Sequence, residues 1–209
     1  MDIRRDFGSP LHESMRTNMA SFERVGVEPD GLRHAAVAVT IMRNEKDEAC
    51  FLITRRPASM RRHAGQWALP GGRLDAGETP VIAAIREIRE EVGLAVQETE
   101  IVGTLDDYPT RSGFLITPIV VWSEEPAEFV LDPAEVESAH LVPLVELERE
   151  EVPRFIDGAD PERPVIQVPL YGHFVHAPTA AILYQFREIA MYGRPTRVAH
   201  YDQPPFAWQ

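Results

Sequence analysis

Residues 72–94 read GRLDAGETPVIAAIREIREEVGL, and this stretch decides the reading of the whole chain. A glycine-containing loop from Gly72 to Glu78 leads into a segment with helical periodicity. Thr79 is suited to the N-cap and Pro80 to the first turn, while Gly93 is suited to close the C-terminus. Val81, Ile85, Ile88 and Val92 recur at helical spacing and predict a core-facing stripe. Glu87, Glu90 and Glu91 stand at i, i+3 and i+4, so they share a face, read as roughly opposite to that stripe. Like charges so placed repel and weaken a helix unless a cation lies between them. Clustered carboxylate oxygens suit Mg²⁺ or Mn²⁺, which also bind phosphate. The segment therefore predicts a helix that anchors itself in the core and offers metal ligands for opening a phosphoanhydride. An amphipathic helix with a solvated acidic face is the plain alternative.

Working outward, residues 34–42 (HAAVAVTIM) and 49–54 (ACFLIT) predict two arms of a hairpin, joined by the polar turn 43–48. Residues 55–72 are rich in Arg, Pro and Gly and read as a long loop outside the core, with Arg55, Arg56, Arg61, Arg62 and Arg73 in or beside it. Such a basic island in an acidic chain is either a solvated loop or a cradle for phosphates. Beyond the helix, 101–108 and 114–122 predict strands around a turn at 110–113. Residues 134–150 read as part strand and part helix, because Pro143 forbids one continuous helix. A loop at 153–164, a strand at 165–170 and a helix at 178–191 complete the pattern.

These elements predict one domain over 34–193. Residues 1–33 read as an N-terminal extension, with Leu11, Met15, Met19 and Phe22 along one side of a short helix, a candidate dimer element. Residues 194–209 read as a tail lying along the surface.

The 209 residues suffice for one domain with a sizeable core, and 44% hydrophobic content is ordinary for a globular protein. The net charge of −12 disfavours a polyanion such as nucleic acid, although local arginines and metals can still receive a small phosphorylated substrate. No apolar run approaches a membrane span, and MDIRRDFGSP does not read as a secretory signal. The single cysteine, Cys50, excludes an internal disulfide framework and fits a reducing, cytoplasmic setting. It lies in an apolar run and reads as packing.

Gly72, five residues, Glu78, seven residues, then Arg86-Glu87-Ile88-Arg89-Glu90-Glu91-Val92-Gly93-Leu94 resembles a complete Nudix box. The resemblance implies a Nudix αβα sandwich, an α+β fold with a mixed central sheet between helices, and a metal-dependent pyrophosphohydrolase using Mg²⁺ or Mn²⁺. It also implies roles, position by position. Glu87, Glu90 and Glu91 are ligands and catalytic residues. Gly72 offers a carbonyl, Glu78 a direct or water-bridged oxygen, and Arg86 orients a carboxylate. Glu90 is the first candidate for general base, with Glu135 or Glu137 as alternatives. The resemblance is compatible with a homodimer, which nothing in the sequence itself establishes.

The preceding residues sharpen this. Leu52-Ile53-Thr54-Arg55-Arg56, Met60-Arg61-Arg62-His63-Ala64-Gly65-Gln66 and Pro70-Gly71-Gly72 resemble the coenzyme A pyrophosphatase branch. Gly113–Pro118, Glu135-Val136, Val142-Pro143-Leu144 and Thr179–Leu183 look alike too. Pro57, Leu69 and the 175–178 stretch depart from that branch's pattern and bear on the substrate more than on the chemistry. The resemblance implies cleavage of coenzyme A or its thioesters to 3′,5′-ADP and 4′-phosphopantetheine or its acyl form. Arg56, Arg61 and Arg62 would meet phosphates, with His63 and Gln66 either contacting substrate or bracing the loop. Trp67 either stacks on a base or packs. Other substrates on the same chemistry are ADP-ribose and NADH. A non-catalytic nucleotide-binding regulator is a third reading, which the complete set of box glutamates disfavours.

Overall fold

The computed structural model describes residues 5–59, 64–126, 128–158 and 160–204. The strands are β1 (Arg33–Arg43), β2 (Ala49–Arg55), β3 (Trp67–Ala68), β4 (Gly71–Arg73), β5 (Ile101–Thr104), β6 (Tyr108–Pro109), β7 (Phe114–Trp122), β8 (Ser138–Pro143), β9 (Arg154–Ile156), β10 (Val165–Leu170) and β11 (His173–His176). The helices are α1 (Ser9–Ser21), α2 (Pro80–Val92) and α3 (Thr179–Phe186), the last continued by a π-helical turn over Arg187–Met191.

The main sheet is mixed. β1 runs parallel to β7 over nine register pairs, from Arg33 opposite Phe114 to Ile41 opposite Trp122. Its other edge is antiparallel to β2 at one end and to β4 at the other. β3 pairs with β2, β8 lines the opposite side of β2, and β5 and β6 pair with β7. β9, β10 and β11 form a separate antiparallel sheet.

Side-chain alternation along β1 explains the layers. Ala36, Ala38 and Met42 pack with Ala83, Ala84, Ile88 and Val92 of α2. Ala35, Val39 and Ile41 face the other way, into a larger core shared with α1 and α3. Helices thus cover both faces of a mixed sheet, which is the αβα sandwich expected from the resemblance.

Several local expectations need correction. The loop predicted to lie outside the core contains β3 and β4, and its Leu69 is buried. The run 101–108 breaks into β5 and β6, because Asp106 and Asp107 leave the ladder to serve as acceptors: Asp106 receives Arg197 and Gln185, and Asp107 receives Arg24 and Thr117. β9 forms inside the predicted 153–164 loop. Phe22, placed in the helix by its spacing, is the C-cap of α1, and Met15 and Met19 pack into the chain's own core. The tail does not simply follow the surface: Val198, Asp202 and Gln203 are buried.

Candidate active site

α2 forms as its caps dictate. The Thr79 side chain accepts from the Ile82 N–H, Pro80 opens the first turn, and Gly93 adopts a left-handed φ of 74°. Ala83, Ala84, Ile88 and Val92 bury one side. Val81 and Ile85 pack only partly, so the core stripe lies further round the helix than the aliphatic repeat indicated. One consequence is that Glu91 does not project away from the core: it is only 4% exposed.

Gly72 on β4 faces this helix. A Cβ at position 72 would collide with the Glu87 carboxylate, so glycine is what lets that carboxylate lie against the β4 backbone in this position. The neighbouring Gly71 backbone N–H donates to Glu91. β4 and α2 therefore bring Gly72, Glu87 and Glu91 together.

Arg86 sits among the carboxylates. Its Nε and Nη2 donate to the two Glu78 oxygens at 2.9 Å each. Its Nη1 donates to Glu87 at 2.7 Å and to Glu90 at 3.1 Å, and Nη2 also reaches the Arg73 carbonyl. Asp75, not singled out from sequence, lies 3.9 Å from the same guanidinium. The hydrogen bonds from Arg86 hold the Glu78 carboxyl down to about 2, and the surrounding acids push Arg86 upward.

The helix carboxylates behave differently. Burial raises Glu87 despite its bond to Arg86. Burial pushes Glu91 up to about 8; the nearby Arg56 opposes the shift, while Glu87 and Glu135 reinforce it. Glu90 is the exposed member, at 59% side-chain exposure. Among the described residues no three Asp, Glu, His or Cys side chains stand as a ready metal cluster, since Arg86 lies between Glu78, Glu87 and Glu90. The donor chemistry nevertheless fits a hard divalent cation. Glu91 is a buried acid that burial pushes up, and the Glu87 carboxylate stands directly against the Gly72 backbone. Glu87, Glu90, Glu91 and the Gly72 carbonyl are the oxygens available to hold one.

Beside this group a cleft of about 210 Å³ opens between β4, the turn before β7 and the start of α3. Arg56, Gln66, Trp67, Phe114, Ile116 and Gln203 are among its lining residues. The Arg56 Nη2 is 3.8 Å from Glu135, and Arg55 Nε is 3.7 Å from Glu137. Each of the two acids considered as alternative bases thus faces one arginine, and of those arginines Arg56 lines the cleft. Arg56 Nε is buried and has no hydrogen-bond partner among the described residues. Gln66 braces the loop, its carbonyl accepting from the Arg56 N–H at 2.9 Å, and it also lines the cleft. Trp67 packs edge-on against His140 at 4.9 Å while facing the same space. Arg61, Arg62 and His63 lie outside the described residues. Phe114, with the Arg33 guanidinium 3.9 Å above its ring, and Gln203 were missed from sequence. Phe114 falls in the Gly113–Pro118 stretch that resembles the branch but was given no role of its own, and nothing near Gln203 in sequence marks it.

A family model described as NUDIX domain matches residues 32–162. The chain belongs to the Nudix family. Its box is the 72–94 stretch whose helix carries Arg86 and the three glutamates. Among curated relatives, the uncharacterized Nudix hydrolase NudL of Photorhabdus laumondii is 41% identical over 118 residues, covering 56% of this chain and 62% of the relative. The Citrobacter koseri protein of the same name is 36% identical over 115 residues, covering 54% of this chain and 59% of the relative. The chain thus spans less than two thirds of the length of these relatives. The solved structure of a MutT/nudix family protein from Enterococcus faecalis has a TM-score of 0.56 at 18% identity, covering 91% of this chain and 78% of that one. At that identity the likeness is one of fold, and it extends the Nudix sandwich over nearly the whole chain.

Proposed function

We propose that this Nudix protein hydrolyses the P–O–P linkage of a nucleoside diphosphate derivative, with coenzyme A or its thioesters as the favoured substrates. The observation that carries the reading is the junction of the Arg86-centred carboxylates with a cleft entered by Arg56, Gln66 and Trp67. Membership of the family and the basic segment preceding the box support it.

A Mg²⁺ or Mn²⁺ ion held by Glu87, Glu90, Glu91 and the Gly72 carbonyl would supply charge relief on phosphoryl oxygens and acidify an attacking water. The chain's own residues do the rest. Arg86 fixes Glu87 and Glu90 in orientation and ties them to Glu78 in the loop. Glu90, the most exposed of the box acids in α2, takes the proton of the attacking water. Arg56 meets phosphate oxygens with a guanidinium suited to paired contacts. Arg61, Arg62 and His63 belong to the same basic segment and are assigned to phosphate contact with it. Trp67 and Phe114 form apolar walls for the nucleoside side.

A panel of coenzyme A, dephospho-coenzyme A, ADP-ribose and NADH, each with Mg²⁺ and Mn²⁺, tests the proposal. Preferential release of 3′,5′-ADP from coenzyme A is expected. Preference for ADP-ribose or NADH overturns the substrate assignment, and absence of any phosphoanhydride cleavage overturns the activity.

A further inference from the structure

Two walls of the cleft come from distant parts of the chain: the Thr110–Phe114 turn between β6 and β7, and the Ala177–Thr179 lead into α3. The C-terminal segment joins them. The Arg111 guanidinium donates from Nε and Nη2 to the two Asp202 oxygens at 2.5 Å each. The Tyr108 hydroxyl donates to the Tyr201 carbonyl at 2.8 Å, and Asp202 bridges to Val165. These contacts already anchor the segment. Gln203 adds something different: its Oε1 accepts from the Arg111 backbone N–H at 3.0 Å, and its Nε2 donates to the Ala177 carbonyl at 3.3 Å. One side chain, 5% exposed, spans from one cleft wall to the other.

An amide is costly to bury unless both its ends are satisfied, so a tail needing only apolar packing would gain nothing from glutamine here. We propose that Gln203 is a positioning residue of the substrate cleft, which holds the Arg111 turn and the Ala177 segment at the separation that grips the nucleoside part of the substrate. The proposal rests on reading this cleft as the substrate's, and it places the effect of Gln203 on substrate affinity, apart from the chemistry at the box. Specificity is then set in part by a residue outside the 32–162 region that the family model matches.

The test compares the full-length wild type with Gln203→Ala and the near-isosteric Gln203→Glu, which keeps the acceptor and removes the donor to Ala177. Steady-state kinetics on the nucleoside diphosphate derivative that the wild type cleaves are read beside ADP affinity by calorimetry and thermal midpoints. Both variants are expected to raise KM and the ADP Kd about tenfold, equivalent to about 1.4 kcal/mol. The kcat is expected to stay within about twofold of wild type, the pattern of lost binding without lost chemistry. A lower kcat or midpoint with KM and ADP affinity unchanged shows a tail that merely stabilises the fold and overturns the proposal. Should the wild type cleave nothing yet bind ADP in a manner that depends on Gln203, the proposed activity fails and this inference stands. Wild type that does not bind ADP ends the inference, whatever it hydrolyses.

Discussion

Arg86 grips Glu78 with both arms of its guanidinium, Nε to one carboxylate oxygen and Nη2 to the other, each at 2.9 Å. The pair joins the loop before α2 to the helix itself, and the remaining nitrogen reaches Glu87 and Glu90. A planar fork can serve three acids at once, whereas an ammonium cannot reproduce that geometry. Arg86→Lys is therefore expected to raise the Mg²⁺ concentration giving half-maximal activity by about 10- to 100-fold, the usual range for lost support of metal ligands. A metal titration checks this; an unchanged Mg²⁺ requirement would show that Arg86 does not orient the ligands.

Gly72 is expected to tolerate no side chain. Gly72→Ala drives a Cβ into the Glu87 carboxylate, which must swing out of the position that Arg86 holds. Displacement of a catalytic group by about 1 Å costs about 10²-fold in rate. The variant should keep its circular dichroism spectrum and lose that much turnover. Wild-type turnover in Gly72→Ala would show that this placement of the Glu87 carboxylate is not needed for chemistry.

Glu91 ties function to a cost in stability. Its carboxyl is raised to about 8 by burial, so the folded protein keeps a proton that the unfolded chain releases near its ordinary value of 4.5. The unfolded state then binds fewer protons, and stability falls as pH rises between those two values. Glu91→Gln removes this penalty. Without divalent cation, the variant is expected to melt higher than wild type at pH 8 and at the same temperature at pH 4, while turnover with cation drops by orders of magnitude. Equal melting at both pH values would contradict the assignment of Glu91 as a buried, cation-seeking acid.

Met15 shows that residues before the predicted domain contribute to the fold. It is fully buried in the core shared by α1 and α3. Met15→Ala is expected to cost about 2–5 kcal/mol by denaturant unfolding, the range for truncating a core methionine. A loss below about 0.5 kcal/mol, the scale of a surface change, would mark the N-terminal segment as a loosely docked extension.

The α2 helix was legible in sequence because its signals are local: a capping threonine, an N-terminal proline, a terminal glycine and one aliphatic stripe agree. That Glu87, Glu90 and Glu91 share one side of α2 followed from helix spacing alone. Their environments did not, because the burial of Glu91 depends on how β4 crosses the helix. β3 and β4 were hidden in the basic loop: strands of two and three residues carry no periodicity, and pairing with β2 and β1 is what makes them strands. The Arg111–Asp202 and Gln203–Ala177 contacts join residues far apart in sequence, and no spacing rule reaches that far.

Turnover of coenzyme A by wild type and Glu90→Gln with Mg²⁺, followed by ³¹P NMR, tests the central claim most directly. The account requires that wild type converts the diphosphate signal into phosphomonoesters and that Glu90→Gln, folded, does so slower by orders of magnitude. Equal rates in the two proteins, or a diphosphate signal that persists with wild type, would contradict it.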